Sequence, residues 1–281
     1  MHAASVAFQG ERGAYSEMAA LRYFPNAELV PLKSFQEVFS AAESGDADYA
    51  IVPVENSIEG SVNEIYDLLL ESRKLEVIGE IYQRVRHCLI ANPGTRIAAI
   101  KFAHSHPQAL AQCRGYLQRH KIEPVPAYDT AGAAKLIKES AKMDAAAIAS
   151  KRAAELYDMV ILEEGIEDRK NNYTRFLVLS LQEEKPEAKM LRSGNYKTSI
   201  IFSVKHVPGA LHGIVGEFAT RKINLTKIES RPTKETPWEY NFYVDFEGHS
   251  SQRAVKEALA AIKPKTLYVK TLGSYKKADF R

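Results

Sequence analysis

Up to Leu181 the chain alternates short apolar runs with longer runs of helical spacing, and no other feature limits its folds as strongly. Val6-Ala7-Phe8, Glu28-Leu29-Val30 and residues 48–54, 100–103, 125–128 and 145–148 each have the length and composition of a strand. Helical stretches follow at 14–23, from Ser34 to Glu43, after Ser61, from Pro107 to about Arg119, at 131–140 and at 151–157. Ser34-Phe35-Gln36-Glu37 is a capping box, and Ser61 with Glu64 reads as another. Pro107 stands where a helix tolerates proline, and Asp129-Thr130 reads as an N-cap. Residues 75–81 and 86–90 add two strands, and Phe176-Leu177-Val178-Leu179 is a last buried one, entered from the polar loop 163–170. Such alternation builds a mostly parallel α/β sheet or a pair of them.

The strand ends carry small polar groups, and in α/β sheets ligands collect there. They are Gly10 to Gly13, Asn56-Ser57, Ser105 to Gln108, Asp129-Thr130, and Thr174-Arg175-Phe176. The Gly10-Glu11-Arg12-Gly13 turn precedes a helix whose free N–H groups suit an anion. It is neither a GxGxxG fingerprint nor a P-loop. His104 and His106 have no ligand cluster near them in sequence, so no metal site is expected.

Composition narrows the function. With 38 basic and 35 acidic residues the net charge is +3 and forms no basic stripe, so neither nucleic acid nor an anionic membrane is an expected partner. No apolar stretch has the length of a membrane span and the N-terminus lacks a signal-peptide pattern, so a soluble cytoplasmic protein is expected. Cys88 and Cys113, each within an apolar pattern, suit two buried thiols better than a disulfide.

After Leu181 the charged, proline-containing run 182–187 reads as a linker. Beyond it come strands at 197–204, 224–231, 238–246 and 266–272, with helices opening at Pro208-Gly209-Ala210-Leu211 and spanning 250–262. That βαββαβ order is ferredoxin-like, and such small units often pair into dimers.

Four segments in order, Val6 to Ser16, Pro53-Val54-Glu55-Asn56-Ser57, Ser105-His106-Pro107-Gln108 and Asn172-Tyr173-Thr174-Arg175-Phe176, resemble the monofunctional prephenate dehydratases. Gly209-Ala210-Leu211 and Glu229-Ser230-Arg231-Pro232 resemble the ACT regulatory domain attached to those enzymes. The resemblance implies a catalytic region over 1–182 of two α/β lobes, similar to type II periplasmic binding proteins, with lobe crossings near 75–90 and 174–178. It implies an ACT domain over 197–276. The implied reaction is decarboxylating dehydration of prephenate to phenylpyruvate, feedback-regulated by L-phenylalanine, in a homodimer or homotetramer that needs no metal or organic cofactor. By resemblance Thr174 is the catalytic hydroxyl, and Asn56 and Gln108 match substrate positions. Ser57, Ser105, Thr130, Arg175 and Phe176 join the expected pocket from their placement. The expected effector residues are Gly209, Ala210, Leu211, Asn224, Leu225, Glu229 and Ser230. Arogenate dehydratase and a non-catalytic two-lobed receptor are the alternatives.

Overall fold

In the computed structural model, residues 3–181, 195–234 and 236–279 are described. The 182–187 linker lies outside them. The chain forms two compact units, one from Met1–Ser61 and Tyr82–Phe176, the other from Val62–Ile81 and Leu177–Arg281.

The first unit holds two lobes. The first lobe runs β1 (Ser5–Gln9), α1 (Tyr15–Tyr23), β2 (Glu28–Leu32), α2 (Phe35–Ser44), β3 (Tyr49–Asn56) and the short β4 (Gly60–Ser61). The next elements, α3 (Asn63–Glu71) and most of β5 (Leu75–Arg84), belong to the second unit. The second lobe follows with β6 (Cys88–Ala91), β7 (Phe102–Ser105), α4 (Pro107–Gln112), α5 (Arg114–His120) and β8 (Glu123–Pro126). It ends with α6 (Thr130–Ser140), β9 (Ala145–Ala149), α7 (Lys151–Leu156) and β10 (Val160–Glu164). The chain then leaves along β11 (Tyr173–Leu181), whose first residues lie beside β3.

Both lobes have the same core order. β1 pairs in parallel with β2 and β3, and β7 pairs in parallel with β8 and β9, so each lobe reads second strand, first strand, third strand. A strand from the crossing then flanks each third strand: β11 beside β3, and β6 beside β9. This is the two-lobed α/β layout expected from the sequence. The all-buried β9, Ala-Ala-Ala-Ile-Ala, shows why small residues fill it: α6 packs on one side through Ala131, Ala134 and Ile137, and Leu110 and Tyr116 belong to the cluster on the other.

Some local expectations change. Ser61 does not cap α3; it sits in β4 opposite Glu55, and Val62 precedes the helix without a side-chain cap. The helix expected from Pro107 to about Arg119 breaks at Cys113 (φ −110°, ψ 14°), and just after the break the Gly115 N–H donates to Asp168 at 2.9 Å. Glu163 and Glu164, read as loop, end the antiparallel strand β10, whose exposed charges hide its pairing with β6.

The second unit is a ferredoxin-like sheet. It runs β12 (Tyr196–Ser203), α8 (Ala210–Thr220), β13 (Leu225–Pro232), β14 (Tyr240–Glu247), α9 (Arg253–Ile262) and β15 (Tyr268–Lys276). The strand order is β13-β14-β12-β15. α8 and α9 bury one sheet face through Ile214, Phe218, Val255 and Ile262 against Phe202 and Phe246. On the other face the Tyr243 hydroxyl donates to the Tyr66 carbonyl at 2.7 Å, and Lys270 donates to the Leu69 and Leu70 carbonyls at the end of α3. Lys197 pairs with the fully buried Glu80 of β5 at 3.1 Å. These contacts group 62–81 with the C-terminal unit.

Candidate active site

Within the first unit a line of hydrogen bonds starts at Thr174. Asn56 ends β3, and its carbonyl oxygen accepts from the backbone N–H groups of Ile58 (2.9 Å) and Glu59 (3.1 Å). Those donors fix the orientation of the amide. Its Nδ2 must then face the other way, donating to Thr174 Oγ1 at 3.0 Å and to Asn172 Oδ1 at 2.8 Å. Both Nδ2 hydrogens are thereby used. The Thr174 oxygen accepts, and among the described residues its own proton is donated to no protein group. The arrangement is a half-buried hydroxyl whose proton is available to a ligand.

Asn172 is fully buried on the returning chain and donates to Gln112 Oε1 at 2.9 Å. Gln112, the last residue of α4, also donates to Glu59 Oε1 at 3.2 Å, so one side chain joins the two lobes. Its carbonyl oxygen lies 3.0 Å from His87 Nε2. Burial holds the His87 pKa below its usual value, against the opposing pull of the Gln112 hydrogen bond and Glu167. Beside this line is a cavity of about 170 Å³ lined by Ile58, Glu59, Ala111, Gln112, Asp168 and Arg169. Its walls carry both signs of charge, a setting for a polar, ionic ligand.

The expected residues fall in different places. Asn56 and Thr174 meet, and Ser57 lies beside them, donating to the Asn171 carbonyl at 3.1 Å and accepting from the Tyr173 N–H at 3.0 Å. Gln108 is exposed one turn before Gln112, and Gln112 is the glutamine that joins the network. Ser105 is 0% exposed and donates to the Ile148 carbonyl at 2.6 Å, so its hydroxyl serves the lobe and not a ligand. Arg175 follows Thr174 on a strand and so takes the opposite face, where it is buried, and Phe176 is a core residue at 2% exposure. Thr130 opens α6, but Asp129 does the capping, accepting from Ala131 and Gly132 at 2.6 and 2.9 Å.

The loop 10–13 holds the chain's own anions. The Glu11 N–H donates to Asp129 at 3.1 Å and the Gly13 N–H to the buried Glu17. Ser150 Oγ donates to the Gly13 carbonyl at 2.6 Å, so this turn also fastens the lobes to each other. Cys88 and Cys113 are free, buried thiols, and burial pushes Cys88 up to about 11. Among the described residues no group of His, Cys, Asp and Glu is arranged to hold a metal. No helix of the described residues is long and apolar enough to cross a membrane.

In the second unit the expected effector residues separate. Ala210 and Leu211 line a cavity of about 110 Å³ with Val204, Lys205, His206, Val207, Glu239, Tyr240 and Phe242. Ser230 stands opposite Phe242 at this end, whereas Leu225 pairs with Phe246 at the other, near the far end of α8, a helix about 16 Å long. Glu229, adjacent to Ser230 on a strand, takes the other face and pairs with Lys227 at 3.6 Å.

Residues 6–184 match the sequence profile of prephenate dehydratase. The chain belongs to the prephenate dehydratase family. Residues 198–264 match the ACT domain. Arogenate dehydratase/prephenate dehydratase 2, chloroplastic, of Arabidopsis thaliana is 43% identical over 279 residues, 96% of this chain and 72% of that protein. Among solved structures, prephenate dehydratase of Arthrobacter aurescens in complex with L-Phe is 32% identical with a TM-score of 0.89, covering 99% of this chain and 91% of that one. GqqA, described as a novel type of quorum quenching acylase, is 35% identical with a TM-score of 0.91 over 99% of both chains. This family member is therefore an enzyme, a lyase of aromatic amino-acid biosynthesis carrying an ACT domain.

Proposed function

We propose that the chain converts prephenate to phenylpyruvate, with Thr174 as the catalytic hydroxyl and L-phenylalanine as feedback effector. The supporting observation is the Thr174 oxygen accepting from Asn56, which leaves the hydroxyl proton for a ligand. In the reaction the ring carboxylate leaves as carbon dioxide, its bonding electrons enter the ring, and the ring C–O bond breaks to release hydroxide. Aromatisation supplies the drive, and hydroxide takes a solvent proton to become water. What the protein must supply is orientation and a donor aimed at the departing oxygen. A threonine hydroxyl is too weak an acid for full proton transfer, so Thr174 acts as an aligned hydrogen-bond donor. Arg169 at the cavity wall suits a substrate carboxylate.

Arogenate carries an ammonium where prephenate carries a keto oxygen. Glu59 on the same wall is the feature that favours it. Acylase activity is a third reading, motivated by the likeness to GqqA. It is disfavoured because the hydrogen-bond partner of Thr174 is an amide, which cannot take its proton as a base. Incubating the purified chain with prephenate and arogenate at equal concentration, and separately with an N-acyl amide, tests all three. Phenylpyruvate as the main product is expected; phenylalanine as the main product favours arogenate, and amide hydrolysis without either product overturns the dehydratase reading.

For regulation, the separation of Leu211 from Leu225 within one chain supports an effector site completed by a second copy, hence a homodimer or homotetramer. Asp67 of α3 accepts from Arg231, beside Ser230 on β13, at 3.1 Å and from Lys234 at 2.6 Å. α3 begins two residues after Ser61 and the Asn56 loop, so this cluster gives β13 a mechanical route toward the hydroxyl site. A cytoplasmic setting remains part of the proposal.

A further inference from the structure

His87 does not touch the Thr174 hydroxyl, although it stands at the end of the line that begins there. It is 2% exposed. Its backbone N–H donates to Glu167 Oε2 at 3.0 Å, and its ring meets the Tyr15 ring edge-on at a centroid distance of 5.7 Å. The ring has two partners, Tyr15 on one side and Gln112 at Nε2.

Hydrogen-bond polarity along the line follows from counting protons. Asn56 is fixed by two backbone donors, so Asn172 must present its carbonyl oxygen to Asn56 and its Nδ2 to Gln112. Gln112 must then present its oxygen to Asn172 and its amide nitrogen to Glu59. That same oxygen lies 3.0 Å from His87 Nε2, which is a good contact only if Nε2 carries a proton. In the neutral ring Nδ1 then carries no proton, and the Tyr15 hydroxyl 3.2 Å from it donates its single proton to the Arg86 carbonyl at 2.7 Å. Burial, which lowers the His87 pKa, favours this neutral form.

We propose that His87 is a positioning residue for the dehydratase: its Nε2–H holds the Gln112 carbonyl oxygen, and through Asn172 and Asn56 this keeps the Thr174 proton aimed at the substrate. The proposal rests on the donor role of Thr174. Without the His87 proton, Gln112 loses one of the two donors that distinguish its oxygen from its nitrogen. A flipped Gln112 puts its nitrogen against the Asn172 nitrogen and its oxygen against Glu59. The line then breaks beside Asn172, and Asn56 and Thr174 lose their support.

Three replacements separate this role from bulk packing. A glutamine at 87 places an amide N–H near the position of Nε2, an asparagine places one near Nδ1, and leucine supplies neither. His87→Leu, His87→Gln, His87→Asn, Thr174→Val and the double variant H87L/T174V are compared by steady-state kinetics, with melting curves as the folding control. His87→Leu is expected to lose on the order of 100-fold in kcat with KM little changed, as for a misplaced catalytic group. His87→Gln is expected to recover most of that loss and His87→Asn little of it. The double variant is expected to be no slower than Thr174→Val alone, because both act through one hydroxyl. Wild-type kcat in His87→Leu, or equal recovery by glutamine and asparagine, overturns the proposal while leaving the Thr174 reading intact. Full activity in Thr174→Val overturns the donor reading and this role with it.

Discussion

Replacing Asn56 with aspartate changes one atom and reverses the donor on which the site depends. The backbone N–H groups of Ile58 and Glu59, at 2.9 and 3.1 Å, still hold one carboxylate oxygen. The other replaces Nδ2 and faces Asn172 Oδ1 and Thr174 Oγ1, at the 2.8 and 3.0 Å where donors stood. The Asn172 contact becomes oxygen against oxygen. At Thr174 the hydroxyl turns inward to donate to the carboxylate, and its proton is lost to the substrate. Removing one preorganised donor costs about 100- to 1000-fold in kcat, or roughly 2.7–4 kcal/mol of transition-state stabilisation. The hydrogen bond to Asn172 is lost at a buried position and the Asn172 oxygen is left without its donor, a cost of about 1–3 kcal/mol. The resulting cost of about 2 kcal/mol lowers the melting temperature by roughly 4–8 °C in a unit of this size. Turnover at pH 7 and thermal melting measure both effects. Lower pH supplies an independent check, because a protonated carboxyl regains one O–H donor and activity relative to wild type is expected to rise as pH falls. A folded Asn56→Asp variant with kcat within about threefold of wild type refutes the donor geometry, since the loss of an aligned donor is far larger than that.

Gly13→Ala tests the fastening of the lobes. Gly13 has φ +92°, and a Cβ there would lie 2.9 Å from the Ala153 Cα, so the change is expected to cost about 2 kcal/mol and raise KM, measured by melting and kinetics. Asp67→Asn is expected to leave basal turnover within about twofold and to weaken phenylalanine inhibition several-fold, corresponding to a coupling of about 1 kcal/mol or more. Unchanged inhibition removes the α3 route. At Asp67 burial raises the pKa, but hydrogen bonds from Lys234 and Arg231 outweigh it and the net shift is downward. The stabilisation is therefore present above the ordinary carboxylate pKa and lost as pH falls through the depressed folded value. Urea melts of wild type and Asp67→Asn are expected to differ at pH 7 and converge in strong acid.

The architecture was legible because it rests on short-range patterns. Alternating runs such as Val6-Ala7-Phe8 and the helix after Gly13 report their own states, and the βαββαβ order follows from the same reading. Asn56 and Thr174 were legible as polar groups at strand ends. What stayed hidden depends on distant partners. Gln108 and Gln112 share a helix face, and only the position of Asn172 selects the second. Ser105 looks available until the Ile148 carbonyl on a neighbouring strand takes its proton. His87 has no motif around it and gains its place from Gln112 and Tyr15, both remote in sequence. The grouping of 62–81 with the C-terminal unit depends on contacts such as Glu80 with Lys197, which no local pattern announces. Glu229 and Ser230 are neighbours in sequence, yet strand alternation turns them to opposite faces.

The catalytic hydroxyl is tested most directly by kcat for Thr174→Val and Thr174→Ser on the preferred substrate. Valine keeps the shape and removes the O–H; serine keeps the O–H. The expected result is a loss of about 100- to 1000-fold for valine with an unchanged fold, and a much smaller loss for serine. Near-normal turnover by the valine variant contradicts the role assigned to Thr174.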